Sequence, residues 1–188
     1  MFEKRAQVHQ KCAALLIRHD NGIVGVRERS RLLFAPGVVL PHALVLGFPA
    51  GGMKHFDETF RTTAERESTE ETGLLSRILY YQGCYSTRRD EFAVPEQGVL
   101  SFRITYHVYV AELVGPFVPV PGKDIEEVLL IKSTNLPQLL KVSPWRMSWM
   151  GKALDDAMAG RRLEEPHCEV NRSAMEYLAD FVRQFQPA

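Results

Sequence analysis

The apolar positions of this chain fall into short runs and alternating stretches, with helical stripes in its second quarter and at its end. Residues 12–18, CAALLIR, form an apolar run that stops at His19-Asp20-Asn21-Gly22. Asn-Gly behind such a run signals a hairpin, with Ile23–Arg27 as the return strand. Ala43–Phe48 reads as a buried strand leading into Pro49-Ala50-Gly51-Gly52, and Ser76–Ser86 as another strand. Val99–Leu113 alternates throughout: Phe102, Ile104, Tyr106, Val108 and Val110 lie on one side, Arg103, Thr105, His107 and Tyr109 on the other. That places His107 on a polar face, as a cleft-lining or surface histidine. Ile125–Lys132 predicts a last strand. Glu28–Pro41, Thr87–Gly98 and the proline-rich Gly115–Asp124 read as loops.

Helical signals are fewer. Leu136–Leu140 starts a short helix, and Ser143-Pro144 supplies the N-cap and first position of one running to Gly160. Ser173-x-x-Glu176 is a capping box before the stripe Met175, Leu178, Ala179, Val182 and Phe185. The fourth helix lies in Gly51–Leu74, where six acidic side chains crowd between Asp57 and Glu71. Asp57 is the expected N-cap, with Glu58 in the first turn, where the dipole favours an anion, and Gly73 as the left-handed stop. Phe60, Ala64 and Ser68 fall at i, i+4 and i+8, and the Ser68 hydroxyl is expected to bond back to the Ala64 carbonyl.

Glu67, Glu70 and Glu71 share one face of that helix, within an arc of roughly 100°. Like charges at i,i+4 repel, by a few tenths of a kcal/mol in water. Either this is a solvated acidic face, or a hard divalent cation such as Mg²⁺ or Mn²⁺ offsets the repulsion. Arg66, four residues before Glu70, can hold a carboxylate with its planar fork.

Composition narrows the class. The chain has 188 residues, 45% hydrophobic and 24% charged, with zero formal net charge. Balanced charge argues against a dedicated nucleic-acid binder. Cys12, Cys84 and Cys168 are odd in number and far apart, so they read as free thiols in a reducing compartment. The first residues lack a signal-peptide core, and no apolar run reaches the roughly 20 residues of a membrane span. The expected location is cytoplasmic.

The spacing in the acidic stretch is more specific than its charge. Gly52, five residues, Glu58, seven residues, then Arg66-Glu67-x-x-Glu70-Glu71-x-Gly73-Leu74 reproduces seven fixed residue types. At ordinary residue usage, chance would give this roughly once in 10⁸ positions. The chain resembles the Nudix hydrolase family, whose box is G-x5-E-x7-R-E-U-x-E-E-x-G-U with U bulky and apolar. Ser68 stands at an apolar position of that box.

The resemblance implies an α/β (α+β) fold, an α/β/α sandwich with a mixed sheet. Residues 1–142 would form the Nudix domain, and 143–188 a helical extension packed on it. It also implies divalent-metal-dependent hydrolysis of a nucleoside diphosphate linked to another moiety, with Mg²⁺ or Mn²⁺ as cofactor. Glu67, Glu70 and Glu71 match the family's metal-binding carboxylates, Gly52 its carbonyl ligand, and Arg66 and Glu58 the pair bracing them. Glu58, Arg66 and Glu70 are therefore catalytic candidates, joined by Glu127 as general base, with Glu126, Glu96 and Glu91 as other carboxylates in reach of that role. Arg29, Phe48, Arg88 and Arg89 are candidates for contacting phosphate or base, and three further residues, Phe34, Tyr85 and Tyr109, could also stack a base.

Pro49-Ala50-Gly51-Gly52 is similar to the turn of ADP-ribose pyrophosphatases, but Arg89 and Asp90 stand where that subfamily carries a proline. The tail signature of NADH diphosphatases is absent. The substrate reading is therefore an ADP-ribose, sugar-nucleotide or dinucleotide-like compound. A nucleotide-sensing module without hydrolysis and a nucleoside triphosphate or RNA-end pyrophosphohydrolase are the alternatives. The partner expected is a small nucleotide, with no membrane and no dedicated nucleic-acid binding. Trp145 and Trp149 leave a homodimer open.

Overall fold

The computed structural model describes residues 5–20, 22–28, 33–35, 38–39, 46–54, 58–86, 90–94, 98–132 and 144–165. Its elements follow in the order β1 (Arg5–His19), β2 (Gly22–Glu28), β3 (Leu33–Ala35), β4 (Val38–Val39), β5 (Leu46–Gly47), β6 (Ala50–Gly52), α1 (Phe60–Thr72), β7 (Ser76–Ser86), β8 (Asp90–Val94), β9 (Gly98–Leu113), β10 (Ile125–Lys132) and α2 (Pro144–Met158). The main sheet runs β10-β2-β1-β9-β7, with β5 on β2, β6 on β1 and β8 on β9; β3 and β4 pair separately. The sheet is mixed because β1 and β9 pair in parallel, Arg5 with Val99 through Arg18 with Glu112, while the other pairs are antiparallel.

The central strand explains its own sequence. Ala13, Leu15 and Ile17 belong to the core that includes Phe60 and Ala64 of α1. Cys12, Ala14 and Leu16 belong to the opposite core, with Met150, Ala153 and Leu154 of α2. A strand covered on both faces must be apolar at successive positions, which is why CAALLI is a run and not an alternation. The result is the α/β/α sandwich that the box implies.

The hairpin closes as expected, His19 opposite Gly22, with Asp20 in the left-handed region at φ 48°. Of the strand expected over Ala43–Phe48, only Leu46–Gly47 pairs among the described residues. Thr87–Gly98 is not wholly a loop: Asp90–Val94 forms β8, hydrogen-bonded along the start of β9. The odd-numbered side of β9 is no solvent face either, since Thr105 and His107 are buried. The segments expected as helices at Leu136–Leu140 and beyond Asn171 lie outside the described residues.

Candidate active site

The box helix α1 starts two residues later than its composition suggests. Its N-cap is Thr59, whose hydroxyl accepts the Thr62 N–H while the Thr62 hydroxyl accepts the Thr59 N–H. Glu58 therefore lies before the helix, not in its first turn. Its carboxylate is taken by Arg66 and by the backbone N–H of Lys54, at 2.7 Å. At the other end Gly73 adopts φ 66° and donates its N–H to the Thr69 carbonyl. The proline-rich loop completes that end: Val120 and Gly122 donate N–H groups to the Thr72 and Glu71 carbonyls.

Arg66 is the hub. Its Nε donates to Glu58 at 2.6 Å, its Nη1 to Glu67 at 2.6 Å and to Glu70 at 3.2 Å, and its Nη2 to the Gly52 carbonyl at 2.9 Å. One planar fork thus gathers four other residues of the box at a single point. Lys54 adds a second cation, its Nζ lying 2.5 Å from Glu70. Glu71 points to the turn, where its carboxylate accepts the Ala50 N–H at 3.0 Å. The turn is strand β6, seated on β1 with Gly51 opposite Ala13. Gly51 is required there by proximity: a Cβ would fall 2.3 Å from the Glu67 carboxyl carbon.

The electrostatics follow from burial and partners. Burial pushes the Glu58 carboxyl up, but Arg66 and the Lys54 N–H outweigh it and hold it down at about 2. Burial dominates at Glu67 and keeps its carboxyl above the ordinary value, although Arg66 and Lys54 pull the other way. The Lys54 ammonium is the main cause that lowers Glu70. The Arg66 guanidinium loses some basicity to burial, yet Glu58 and Glu67 raise it overall. Among the described residues, Glu58, Glu67 and Glu70 share the cationic side chains of Arg66 and Lys54, and Glu71 is held by the Ala50 N–H.

That crowding of carboxylates bears on the implied cofactor. Among the described residues, no group of three acidic, histidine or cysteine side chains is arranged to hold a metal ion. Instead, cationic side chains bond Glu58, Glu67 and Glu70. The donors present are nevertheless carboxylate and carbonyl oxygens, the set a hard divalent cation takes. The Lys54 ammonium on Glu70 is half-exposed and can leave, so it marks a position for positive charge. The residues fit the group.

Gly52, Glu58, Arg66, Glu67 and Glu70 are brought together, and Glu71 stands on the turn beside them. Glu127 lies on β10, where it forms an ion pair with Arg27 at 2.8 Å. Phe48 is 4% exposed and packs in the core on the α2 side. Arg29, Arg88, Arg89 and Glu96 lie outside the described residues. Ser68 is fully buried, and its hydroxyl has no hydrogen-bond partner among the described residues, so the expected bond to the Ala64 carbonyl is not formed. His107 is buried, not cleft-lining: it stacks on Phe60 at 3.7 Å between ring centroids, its Nδ1 lies 3.0 Å from the Tyr81 hydroxyl, and burial, then Lys11, pushes it down to about 4. Lys54 and Gly51 are contributors that the motif does not specify.

This assembly of a glycine turn, an arginine-braced acidic helix and a mixed sheet is that of a Nudix domain, and the NUDIX domain family matches residues 8–150. The chain belongs to the Nudix family and is a pyrophosphohydrolase. Solved structures share the fold. A NUDIX hydrolase from Nitrosomonas europaea is 19% identical with a TM-score of 0.58, over 84% of this chain and 97% of that one. A MutT protein from Methanosarcina mazei Go1 is 14% identical with a TM-score of 0.57, over 79% and 95%. An Ap4A hydrolase from C. elegans is 15% identical with a TM-score of 0.52, over 80% and 96%. No curated protein sequence matches the chain.

Proposed function

We propose that this chain cleaves the pyrophosphate bond of a nucleoside diphosphate linked to a second moiety, in the class of ADP-ribose, sugar nucleotides and dinucleotides. Mg²⁺ or Mn²⁺ would be held by Glu67, Glu70, Glu71 and the Gly52 carbonyl. When bound, the cation neutralises diphosphate oxygens and activates the attacking water. The observation carrying the proposal is the Arg66 fork, which draws three carboxylates, Glu58, Glu67 and Glu70, and the Gly52 carbonyl to one point.

The chain's own residues have separate tasks. Arg66 and Glu58 hold Glu67 and Glu70 in register, a bracing role outside the reacting atoms. The Ala50 N–H fixes the Glu71 carboxylate against the turn. Glu70, paired here with the Lys54 ammonium, would hold the cation in its place, and Glu127, once released from Arg27, is the candidate to take the proton of the water. Arg29, Arg88 and Arg89 are offered as phosphate contacts; Phe48, closed into the core on the α2 side, is not a base contact. The substrate class rests on the Pro49-Ala50-Gly51-Gly52 turn. Residues 1–142 are proposed as the catalytic unit and 143–188 as a helical extension; α2, packed on the sheet through Met150, Ala153 and Leu154, supports that division.

The test is phosphate release from ADP-ribose, diadenosine polyphosphates, sugar nucleotides, NADH, coenzyme A and nucleoside triphosphates, each with Mg²⁺, Mn²⁺ or EDTA. Metal-dependent cleavage of the first three is expected. Cleavage of nucleoside triphosphates alone, or binding without cleavage, would refute the substrate class.

A further inference from the structure

The box helix rests on little apolar surface. Its buried residues are Phe60, Thr63, Ala64, Glu67, Ser68 and Thr72, and only Phe60 and Ala64 are apolar. Polar ties hold its middle, through Arg66 and Glu71, and its C-terminal end, through the proline-rich loop. Its first turn is held differently. Phe60 stacks on His107, His107 meets the Tyr81 hydroxyl, and Tyr81 packs edge-on against Tyr109 at 5.2 Å.

The segment after α2 grips that same aromatic row from the edge of the sheet. Asp156, in α2, accepts from the Tyr85 hydroxyl of edge strand β7 at 3.0 Å and from Arg161 at 2.9 Å. Arg162 lies over the Tyr80 ring at 4.4 Å. The Leu163 N–H then donates to the Tyr81 carbonyl at 3.3 Å, which adds one rung to β7. Glu165, on the far side of the edge, accepts the Tyr109 hydroxyl at 2.8 Å and faces Arg61 of the box helix at 3.9 Å. The chain thus passes from the face covered by α2 to the face covered by α1.

We propose that Arg161–Glu165 is a strap that seats the first turn of the box helix, with Glu165 as a positioning residue for the carboxylates that follow on it. The inference rests on the hydrolase reading above for its effect on turnover. The Arg61 pair is long and half-exposed, and pairs of that kind contribute little. The grip therefore comes from the hydrogen bond to Tyr109, whose ring is 1% exposed and cannot shift without disturbing Tyr81 and His107 beneath Phe60. A looser first turn lets Arg66 and the carboxylates it gathers drift, and small misplacements of that kind slow chemistry more than binding.

The experiment compares the full chain with Glu165→Ala, Glu165→Gln and the neighbouring control Glu164→Gln. Amide hydrogen exchange at residues 60–65 is read without substrate, and kcat and KM are read on whichever compound is cleaved. Glu165→Ala is expected to speed exchange in the first turn by roughly five-fold or more, the signature of local opening. It should lower kcat about three- to ten-fold with KM little changed. Glu165→Gln, which still accepts from Tyr109, should restore most of both, and Glu164→Gln should match the wild type. Wild-type exchange at residues 60–65 in Glu165→Ala would overturn the strap. Faster exchange with an unchanged kcat would overturn the positioning role. Since exchange is read without turnover, a chain that cleaves nothing in the panel still decides whether the strap holds α1.

Discussion

Gly51→Ala places one methyl group where the Glu67 carboxylate already stands. The added Cβ would lie 2.3 Å from the carboxyl carbon and 2.5 Å from each oxygen. Ordinary contact needs about 3.5 Å or more, so the carboxylate must retreat by about 1 Å. The retreat stretches the 2.6 Å bond from Arg66 Nη1 to Glu67. A charge-assisted bond of that kind is worth about 1.5–3 kcal/mol, against which the alanine returns about 0.4–1 kcal/mol by stiffening the unfolded chain. The net cost is about 1–2 kcal/mol, and at this chain length the melting temperature falls by roughly 2–8 °C. Turnover suffers more, because a 1 Å misplacement costs about 10²-fold. Thermal melts and steady-state kinetics on the cleaved compound measure both effects. Glu67→Ala removes the colliding group, so adding Gly51→Ala to it should cost nothing further. Gly47→Ala, whose Cβ would meet nothing within 4 Å, is the silent control. Wild-type turnover in Gly51→Ala would refute the reasoning, and so would a double variant slower than Glu67→Ala alone.

Three further outcomes are expected. Arg66→Lys keeps the charge but loses the fork that reaches Glu58, Glu67 and Gly52 together, so kcat should fall at least 10²-fold and stability by about 2–3 kcal/mol; a variant melting with the wild type would contradict the hub. Ser68→Ala removes a fully buried hydroxyl that has no partner among the described residues and should raise the melting temperature by roughly 2–4 °C, the reverse of an ordinary core truncation. His107 is held down at about 4 from its ordinary 6.5, so the unfolded chain takes up the proton first on acidification. Its contribution to stability is complete above pH 6.5 and is lost as pH falls through about 4. Urea midpoints at pH 7 and pH 5 should differ less in His107→Phe than in the wild type, and an equal difference would show that His107 is not the group responsible.

The fold was legible wherever pattern and burial coincide. The doubly covered run at Cys12–Ile17, the strands β7, β9 and β10 and the start of α2 at Pro144 carry their structure in local residue choice. So does the end of α1, since Gly73 is the left-handed residue a helix stop needs. What was illegible depends on partners that local residue choice does not reveal. Asp90–Val94 is short and set among the polar residues of Thr87–Gly98, so it does not announce a strand, and it forms one because β9 offers its backbone. Glu58 leaves the first turn because Arg66, a full two turns onward, claims its carboxylate. Alternation put His107 with the polar residues of β9, but the face it occupies is roofed by Phe60. In the site, spacing identified Gly52, Arg66 and the glutamates, whereas Lys54 and Gly51 follow only from the path of the turn over β1.

The parallel pairing of β1 with β9 also governs when the protein can fold. Arg5 meets Val99 and Arg18 meets Glu112, so the strand made first waits for one that leaves the ribosome after most of the domain. Among the described residues made before β9, the β1–β2 hairpin, the β3–β4 pair and the turns of α1 have their partners nearby in the chain. Non-local pairing of this kind slows folding, because loop entropy is lost before any contact compensates it. Until β9 arrives, CAALLIR is an apolar strand with an open edge, the kind of segment that invites pairing with another chain. A nascent chain stopped before Gly98 should accordingly bind a chaperone, and one extended past Leu113 should let it go.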